Sequence, residues 1–190
     1  MVRRARHTTF AILADGQEAE RNYIRLALDT TLNLKEEGYK LAVLPEGIWV
    51  RSQSPQGIFY GMQTVMQLLP AEIESEQVIN NIVWAMPCVE IEDEPAYSYR
   101  GMMLDVSRHF HDVAFVKKQL DIMAMFKLNR FHWHLTNDHL WTIEIKKYPR
   151  LTEVGSVRRN ADGSIHKGFY TQEQIKEVVT YAAERFITVI

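Results

Sequence analysis

Apolar and polar residues alternate at period two over Tyr39–Leu44 and again over Ile48–Ser52, and the intervening Pro45-Glu46-Gly47 is a turn signal, so the pair predicts a β-hairpin. An earlier strand is predicted over Tyr23–Leu28. Ser54-Pro55 then opens a helix with proline at its first position, and Ile58, Phe59, Met62, Val65, Met66 and Leu69 recur at helical spacing until Pro70 ends the run. That helix is expected to cover the sheet. The residues that follow read as strand-poor and close in Glu92-Asp93-Glu94-Pro95, an acidic, proline-ended boundary. Residues 1–94 are therefore expected to form a small α+β domain.

From Tyr99 onward the texture changes to apolar runs alternating with amphipathic helices, the pattern of consecutive β/α units around a parallel sheet. Arg100–Val106 is the first predicted strand. Asp112 caps a helix whose Val113, Val116, Leu120, Met123 and Ala124 form one stripe, and Arg130–Leu135 is the second strand. After a loop rich in Gly, Arg and Asn, Thr171-Gln172-Glu173-Gln174 forms a capping box, and Ile175, Val178, Val179, Ala182 and Ala183 recur at helical spacing. Phe186–Ile190 starts a third strand, in which the chain stops. A closed (β/α)8 barrel takes about 250 residues. Residues 95–190 are thus expected to be the first β/α units of an incomplete TIM barrel, truncated in strand three, whose open edge favours self-association or partial disorder.

Composition narrows the class. At 190 residues, 46% hydrophobic and 24% charged, the chain is globular rather than disordered, and a net charge of −2 leaves no basic excess to neutralise a phosphate backbone, so no nucleic-acid partner is expected. The lone Cys88 precludes an intrachain disulfide, and its apolar neighbours point to a packed core thiol rather than a nucleophile. In the opening MVRRARHTTFAILADG the apolar run Phe10–Ala14 is shorter than the roughly 7–15 residues of a secretory signal, so it reads as folded chain. No segment approaches the roughly 18 consecutive apolar residues of a membrane span, and no membrane partner is expected. The compartment is expected to be cytoplasmic by default, with periplasmic or secreted left open for a longer protein.

In a β/α barrel the functional groups lie at the carboxyl ends of the strands. Strand one ends in Asp105-Val106-Ser107-Arg108-His109, and strand two runs Phe131-His132-Trp133-His134-Leu135-Thr136-Asn137-Asp138. Alternation sends His132 and His134 to one face and Phe131, Trp133 and Leu135 to the other, with Trp133 read as core. His132-x-His134, with His109 and Asp138 near, has ligand types that suit zinc, so a metal-dependent barrel hydrolase stands as an alternative. Lys146-Lys147 and Arg158-Arg159 read as solvated faces.

The stretch YRGMMLDVSRHFHDVAFVKKQLDIMAMFKLNRFHWHLTNDHLW, followed by IEIKKYPRLTEVGSVR and GFYTQEQIKEVVTYAAERFITVI, resembles the opening of the catalytic barrel of glycoside hydrolase family 20. The earlier EEGYKLAV and GIFYGMQTVMQLLP resemble that family's non-catalytic amino-terminal domain. The resemblance implies retaining exo-cleavage of terminal β-linked N-acetylglucosamine or N-acetylgalactosamine by substrate-assisted catalysis, without a cofactor. In that family the substrate's 2-acetamido oxygen attacks the anomeric carbon, an Asp holds the acetamido nitrogen and the adjacent Glu is the general acid. The Asp-Glu pair follows strand four, which places it beyond Ile190. No residue here is assigned as the acid, and the fragment alone is expected to be inactive, a non-catalytic carbohydrate-binding piece.

By the same resemblance Arg108 binds hydroxyls of the terminal sugar, a task suited to a planar, permanently charged guanidinium; the bland alternative is an ion pair with Asp105. The acidic pair that follows His-Leu-Thr in the family is normally Asp-Asp, and its first member is linked through a downstream His to the acid Glu. Here it is Asn137-Asp138. An amide carries no charge, so three outcomes stay open: Asp138 takes over, the pH profile changes, or the protein binds sugar better than it cuts it. His139-Leu140-Trp141-Thr142 stands where the family shows Gln-Gly-Trp-Arg, a second departure, with Trp141 a candidate stacking platform. His134 and Asp138 complete the expected substrate-binding set of Arg108, Asn137, Asp138 and His134.

Overall fold

The computed structural model describes residues 21–75 and 77–190. The stretch 1–16, read above as folded chain, lies outside the described residues. The chain divides into two compact units, one ending at Ala96 and the other running from Tyr97 to Ile190.

The first unit contains strands β1 (Tyr23–Leu28), β2 (Tyr39–Val43) and β3 (Gly47–Ser52), helix α1 (Pro55–Leu68), a 3-10 turn at Ala71–Glu74 and strand β4 (Val89–Asp93). They form one sheet in the order β1-β3-β2-β4. The predicted hairpin is present as β2–β3, with Leu41 opposite Val50 and Val43 opposite Ile48, while β1 joins β3 in parallel. Ser54 caps α1 by accepting the Gly57 N–H at 3.0 Å. Tyr39, Leu41, Val43, Ile48, Val50, Tyr60 and Val65 make the core.

Three sequence expectations change here. The buried face of α1 is Gly57, Tyr60, Gly61, Thr64 and Val65, not the apolar stripe, of which Val65 alone is buried. The cause is close approach. A Cβ on Gly61 would lie 2.5 Å from Val50 Cγ1 and one on Gly57 2.0 Å from Ser52 Oγ, so the contact ridge has to be made of glycines. Ile58, Phe59 and Met62 flank it, partly buried. Second, the acidic boundary segment contains a strand: β4 pairs antiparallel with β2, Val89 opposite Val43 and Ile91 opposite Leu41, while Glu90 and Glu92 stay exposed. Acidic residues on an edge strand guard against further pairing and also mask the alternation. Third, Cys88 is exposed. Its apolar neighbours Met86 and Val89 do pack against the core, but the thiol itself lies on the outer side of the extended approach to β4.

The second unit runs β5 (Gly101–Asp105), α2 (Val113–Met125), β6 (Arg130–His134), α3 (Arg150–Glu153), β7 (Val157–Arg159), β8 (Ile165–Lys167), α4 (Gln172–Ala183) and β9 (Thr188–Val189). Strands β5, β6 and β9 are adjacent and parallel in that order, so the α/β reading holds and the unit is the first part of a β/α barrel. Asp112 caps α2 by accepting the Phe115 N–H at 2.8 Å. Thr171 and Gln174 cap α4 reciprocally, at 3.2 and 2.9 Å. Both long helices hand over to a strand by one device. Lys127 and Phe186 adopt left-handed φ of 57° and 56°, and the N–H of the next residue reaches back, Leu128 to Met123 O at 2.9 Å and Ile187 to Ala182 O at 3.0 Å. Phe186 is therefore a turn residue, and the third strand starts at Thr188 rather than at Phe186.

Val116, Leu120, Met123 and Ala124 of α2, Phe131 and Trp133 of β6 and Val178 and Ala182 of α4 are buried in this unit. Each fully buried large side chain contributes about 1.5–3 kcal/mol relative to exposure. Met103 and His132, in register on β5 and β6, are exposed on the opposite face. Between β6 and α4 the long loop holds α3 and the antiparallel hairpin β7–β8.

Candidate functional site

Because β5 and β6 are parallel and pair Asp105 with His134, both residues reach the same carboxyl edge. The ladder runs one residue further, Val106 N–H donating to His134 O at 3.1 Å. From that edge one loop carries Ser107-Arg108-His109 and the next Asn137-Asp138, so the predicted site residues leave adjacent strand ends.

Asp105 organises the first loop. Burial opposes its charge, but the Ser107 hydroxyl at 2.8 Å, the Arg108 N–H at 3.0 Å, the Arg108 guanidinium and the Ser107 N–H at 3.0 Å all donate to it. Together they hold its carboxyl at about 2. The ion pair weighed for Arg108 is thus present. The Arg108 side chain is nevertheless 61% exposed, so it stays accessible from solvent.

The second loop is a tight turn. Asn137 N–H donates to Leu140 O at 3.2 Å, and its side-chain carbonyl accepts the His139 N–H at 2.7 Å. Asn137 Nδ2 is buried without a hydrogen-bond partner among the described residues. Asp138 is 83% exposed, its carboxylate 4.0 Å from His139 Nε2. Leu140 and Thr142 are buried, and Thr142 Oγ1 donates to Leu135 O at 2.7 Å. Trp141 donates its indole N–H to Ile143 O at 2.7 Å and its backbone N–H to Gly155 O at 2.8 Å, which fixes the ring. Trp133 is core as expected, its ring 4.6 Å from that of Tyr170. His134 is half-buried, 5.9 Å from the His132 ring.

Two further residues enter from the β7–β8 hairpin, where Arg158 and His166 face each other in register. Arg158 was expected on a solvated face and is instead half-buried. Its guanidinium donates to Arg108 O at 3.5 Å and to Asn160 Oδ1 at 3.2 Å and contacts His139 Nδ1, so one side chain ties the loop after β5 to the loop after β6. His166 Nε2 accepts the Phe110 N–H at 2.8 Å. The one sequence signal for either was the turn Asn160-Ala161-Asp162-Gly163 between two short strands. Lys146 does lie on a solvated face, paired with Glu173 at 3.0 Å.

The His109 ring lies 4.7 Å from that of His166 and 5.1 Å from that of His111. Among the described residues no three His, Cys, Asp or Glu side chains form a group that could hold a metal ion, so the zinc arrangement of His132, His134, His109 and Asp138 does not assemble. No helix among the described residues is long and apolar enough to cross a membrane.

Comparison with known proteins places this geometry. Residues 97–190 match the model of the glycosyl hydrolase family 20 catalytic domain, and residues 3–94 match that of domain 2 of the same family. A β-hexosaminidase of Porphyromonas gingivalis is 58% identical over 92% of this chain and 22% of its own length; one of Vibrio furnissii is 41% identical over 87% and 27%. The chain thus spans about a quarter of the length of these curated relatives. Among solved structures, a Streptomyces plicatus β-hexosaminidase variant in complex with its product N-acetylglucosamine superposes with a TM-score of 0.81 at 39% identity, covering 88% of this chain and 33% of that one. An exo-β-N-acetylglucosaminidase of Vibrio harveyi in complex with N-acetylglucosamine gives 0.75 at 38% identity, over 87% and 26%. The chain belongs to glycosyl hydrolase family 20, as its domain 2 followed by the opening of its catalytic domain.

Proposed function

We propose that this chain supplies the sugar-gripping part of a retaining exo-β-N-acetylhexosaminidase acting on terminal β-linked N-acetylglucosamine or N-acetylgalactosamine. The observation that carries the reading is Arg108, at the carboxyl end of a parallel strand, with its backbone and guanidinium both fixed by an ionised Asp105 and its side chain accessible from solvent. A pre-oriented guanidinium grips vicinal hydroxyls with little ordering cost, so the terminal ring arrives in one pose. The complexes of the two relatives with N-acetylglucosamine support the same ligand class.

The chemistry expected of the family is attack of the substrate's own acetamido oxygen on the anomeric carbon, with acid help from an Asp-Glu pair that follows the fourth barrel strand. The described residues provide three barrel strands, and the proposed role of this segment is binding and orientation. Asn137 offers a buried neutral donor where the family carries a carboxylate, so it contributes hydrogen bonding without charge. Asp138, solvent-facing, is a poor substitute for that charge. Calorimetric titration of the chain with N-acetylglucosamine tests the reading. Binding is expected for the natural sequence, weaker for Arg108→Lys and weakest for Arg108→Ala; equal affinity in all three overturns the role of Arg108. A chromogenic N-acetylglucosaminide is expected to stay uncleaved by these 190 residues alone.

A further inference from the structure

Three successive ties bind the Arg108 loop to the segment around β8. Arg158 donates to Arg108 O at 3.5 Å, Phe110 N–H donates to His166 Nε2 at 2.8 Å, and the Tyr170 hydroxyl donates to His111 O. The packing is as close as the hydrogen bonding. A Cβ on Gly168 would lie 2.2 Å from Phe110 Cδ1, and the Phe110 ring sits 4.8 Å from that of Tyr170. We propose that His166 is a positioning residue for Arg108: its neutral Nε2, by accepting the Phe110 N–H, latches the β7–β8 hairpin onto the loop that presents Arg108, and protonation of that nitrogen opens the latch. The consequence for ligand rests on the sugar-binding reading of Arg108; the latch itself does not.

The chemistry is one of donors and acceptors. An imidazole that accepts at Nε2 carries its proton on Nδ1, and an imidazolium has no acceptor at all, so a protonated His166 would set N–H against the Phe110 N–H. Of the three ties only this one titrates near neutrality. Arginine stays charged, and burial pushes the Tyr170 hydroxyl well above its ordinary value of 10. The surroundings of His166 also keep it neutral. Burial, His109 on the β5 loop, Arg158 across the hairpin and His111 before α2 all hold it below its ordinary 6.5. Lys167 follows it on β8, and Asp112, the nearby carboxylate, acts on His111 and is engaged by the Phe115 N–H. The latch is therefore closed at neutral pH and opens only as pH falls below the ordinary histidine value.

Nitrogen-15 NMR of the whole chain with labelled histidine and backbone, from pH 7.5 to 5, tests this beside N-acetylglucosamine titrations. His166 Nε2 is expected to resonate as an unprotonated nitrogen at pH 7.5, and the Phe110 amide is expected to shift with the midpoint of the His166 ring. His166→Gln keeps an acceptor at similar reach and cannot titrate; it should keep the Phe110 amide protected and the sugar affinity flat across the range. The natural chain should bind roughly threefold to tenfold more weakly at the acid end, the scale of one neutral hydrogen bond, and His166→Ala should be weaker throughout. A proton on Nε2 at pH 7.5, or a Phe110 amide indifferent to the His166 titration, overturns the latch whatever the sugar does. A working latch together with unchanged binding in Arg108→Ala would leave the latch standing and remove the sugar reading instead.

Discussion

In the four-stranded sheet of the first unit, buried polar groups join elements from within: the Ser52 hydroxyl donates to Gly38 O at 2.6 Å, and the Tyr39 hydroxyl donates to Asp93 at 2.9 Å and lies 2.6 Å from Thr64 Oγ1. In the three-stranded parallel sheet of the second unit, the packed side of β6 is Phe131 and Trp133, and the polar groups collect past the strand ends, where Asp105, Arg108, Arg158 and His166 tie loops to one another. Among the described residues both arrangements pair most of their buried donors and acceptors, Asn137 Nδ2 and Trp133 Nε1 excepted. The difference is what they hold in place. The first fixes a helix and strands whose geometry would otherwise depend on a few apolar contacts, and the second fixes exposed donors that the fold itself does not need. Polar organisation beyond the carboxyl edge of a parallel sheet is therefore what supports the proposed site, whereas polar organisation inside a sheet supports packing.

Substitutions that strike one arrangement at a time sharpen the contrast. Gly57→Ala places a Cβ 2.0 Å from Ser52 Oγ and 2.3 Å from Gly38 O, so it is expected to destabilise the first unit by about 3 kcal/mol in denaturant unfolding. A loss below about 0.5 kcal/mol would show that α1 can lift off β3 freely. Arg108→Ala should do the reverse, weakening N-acetylglucosamine binding by about 2 kcal/mol while unfolding shifts by less than about 1 kcal/mol, since its ion pair is largely exposed.

Asp105 links the two kinds of effect. Its folded value of about 2 lies below the ordinary 3.8, so the stabilisation is present above pH 3.8 and is lost as pH falls through about 2. The expected loss is about 2 kcal/mol between pH 4 and pH 2, read from unfolding curves, and Asp105→Asn should flatten that dependence. The smallest effect concerns α4, where Thr171→Ala removes one half of the capping box and is expected to cost about 1 kcal/mol.

Much of this was legible in the residues, and the failures have causes. The hairpin β2–β3, the caps at Asp112 and Thr171 and the buried stripe of α2 follow from periodicity and short-range chemistry, which sequence displays directly. The buried face of α1 did not, because glycine at a close crossing has no hydrophobicity to read. Strand β4 was hidden by its acids, and the turn at Phe186 by a non-glycine residue in the left-handed region, which apolar pattern reports as strand. At the site, Arg108 and Asn137 came from motif and resemblance, whereas Arg158 and His166 act through long-range contacts set by the register of a hairpin of two three-residue strands. No local spacing encodes that register.

The central claim is that the loops leaving β5 and β6 hold an N-acetylhexosamine through Arg108. Mapping amide shifts of the 190-residue chain on addition of N-acetylglucosamine tests it most directly. The account predicts shifts gathered at Ser107–Phe110 and His134–Trp141 that vanish in Arg108→Ala. Shifts confined to the sheet of the first unit, or an unchanged pattern in the variant, would contradict it.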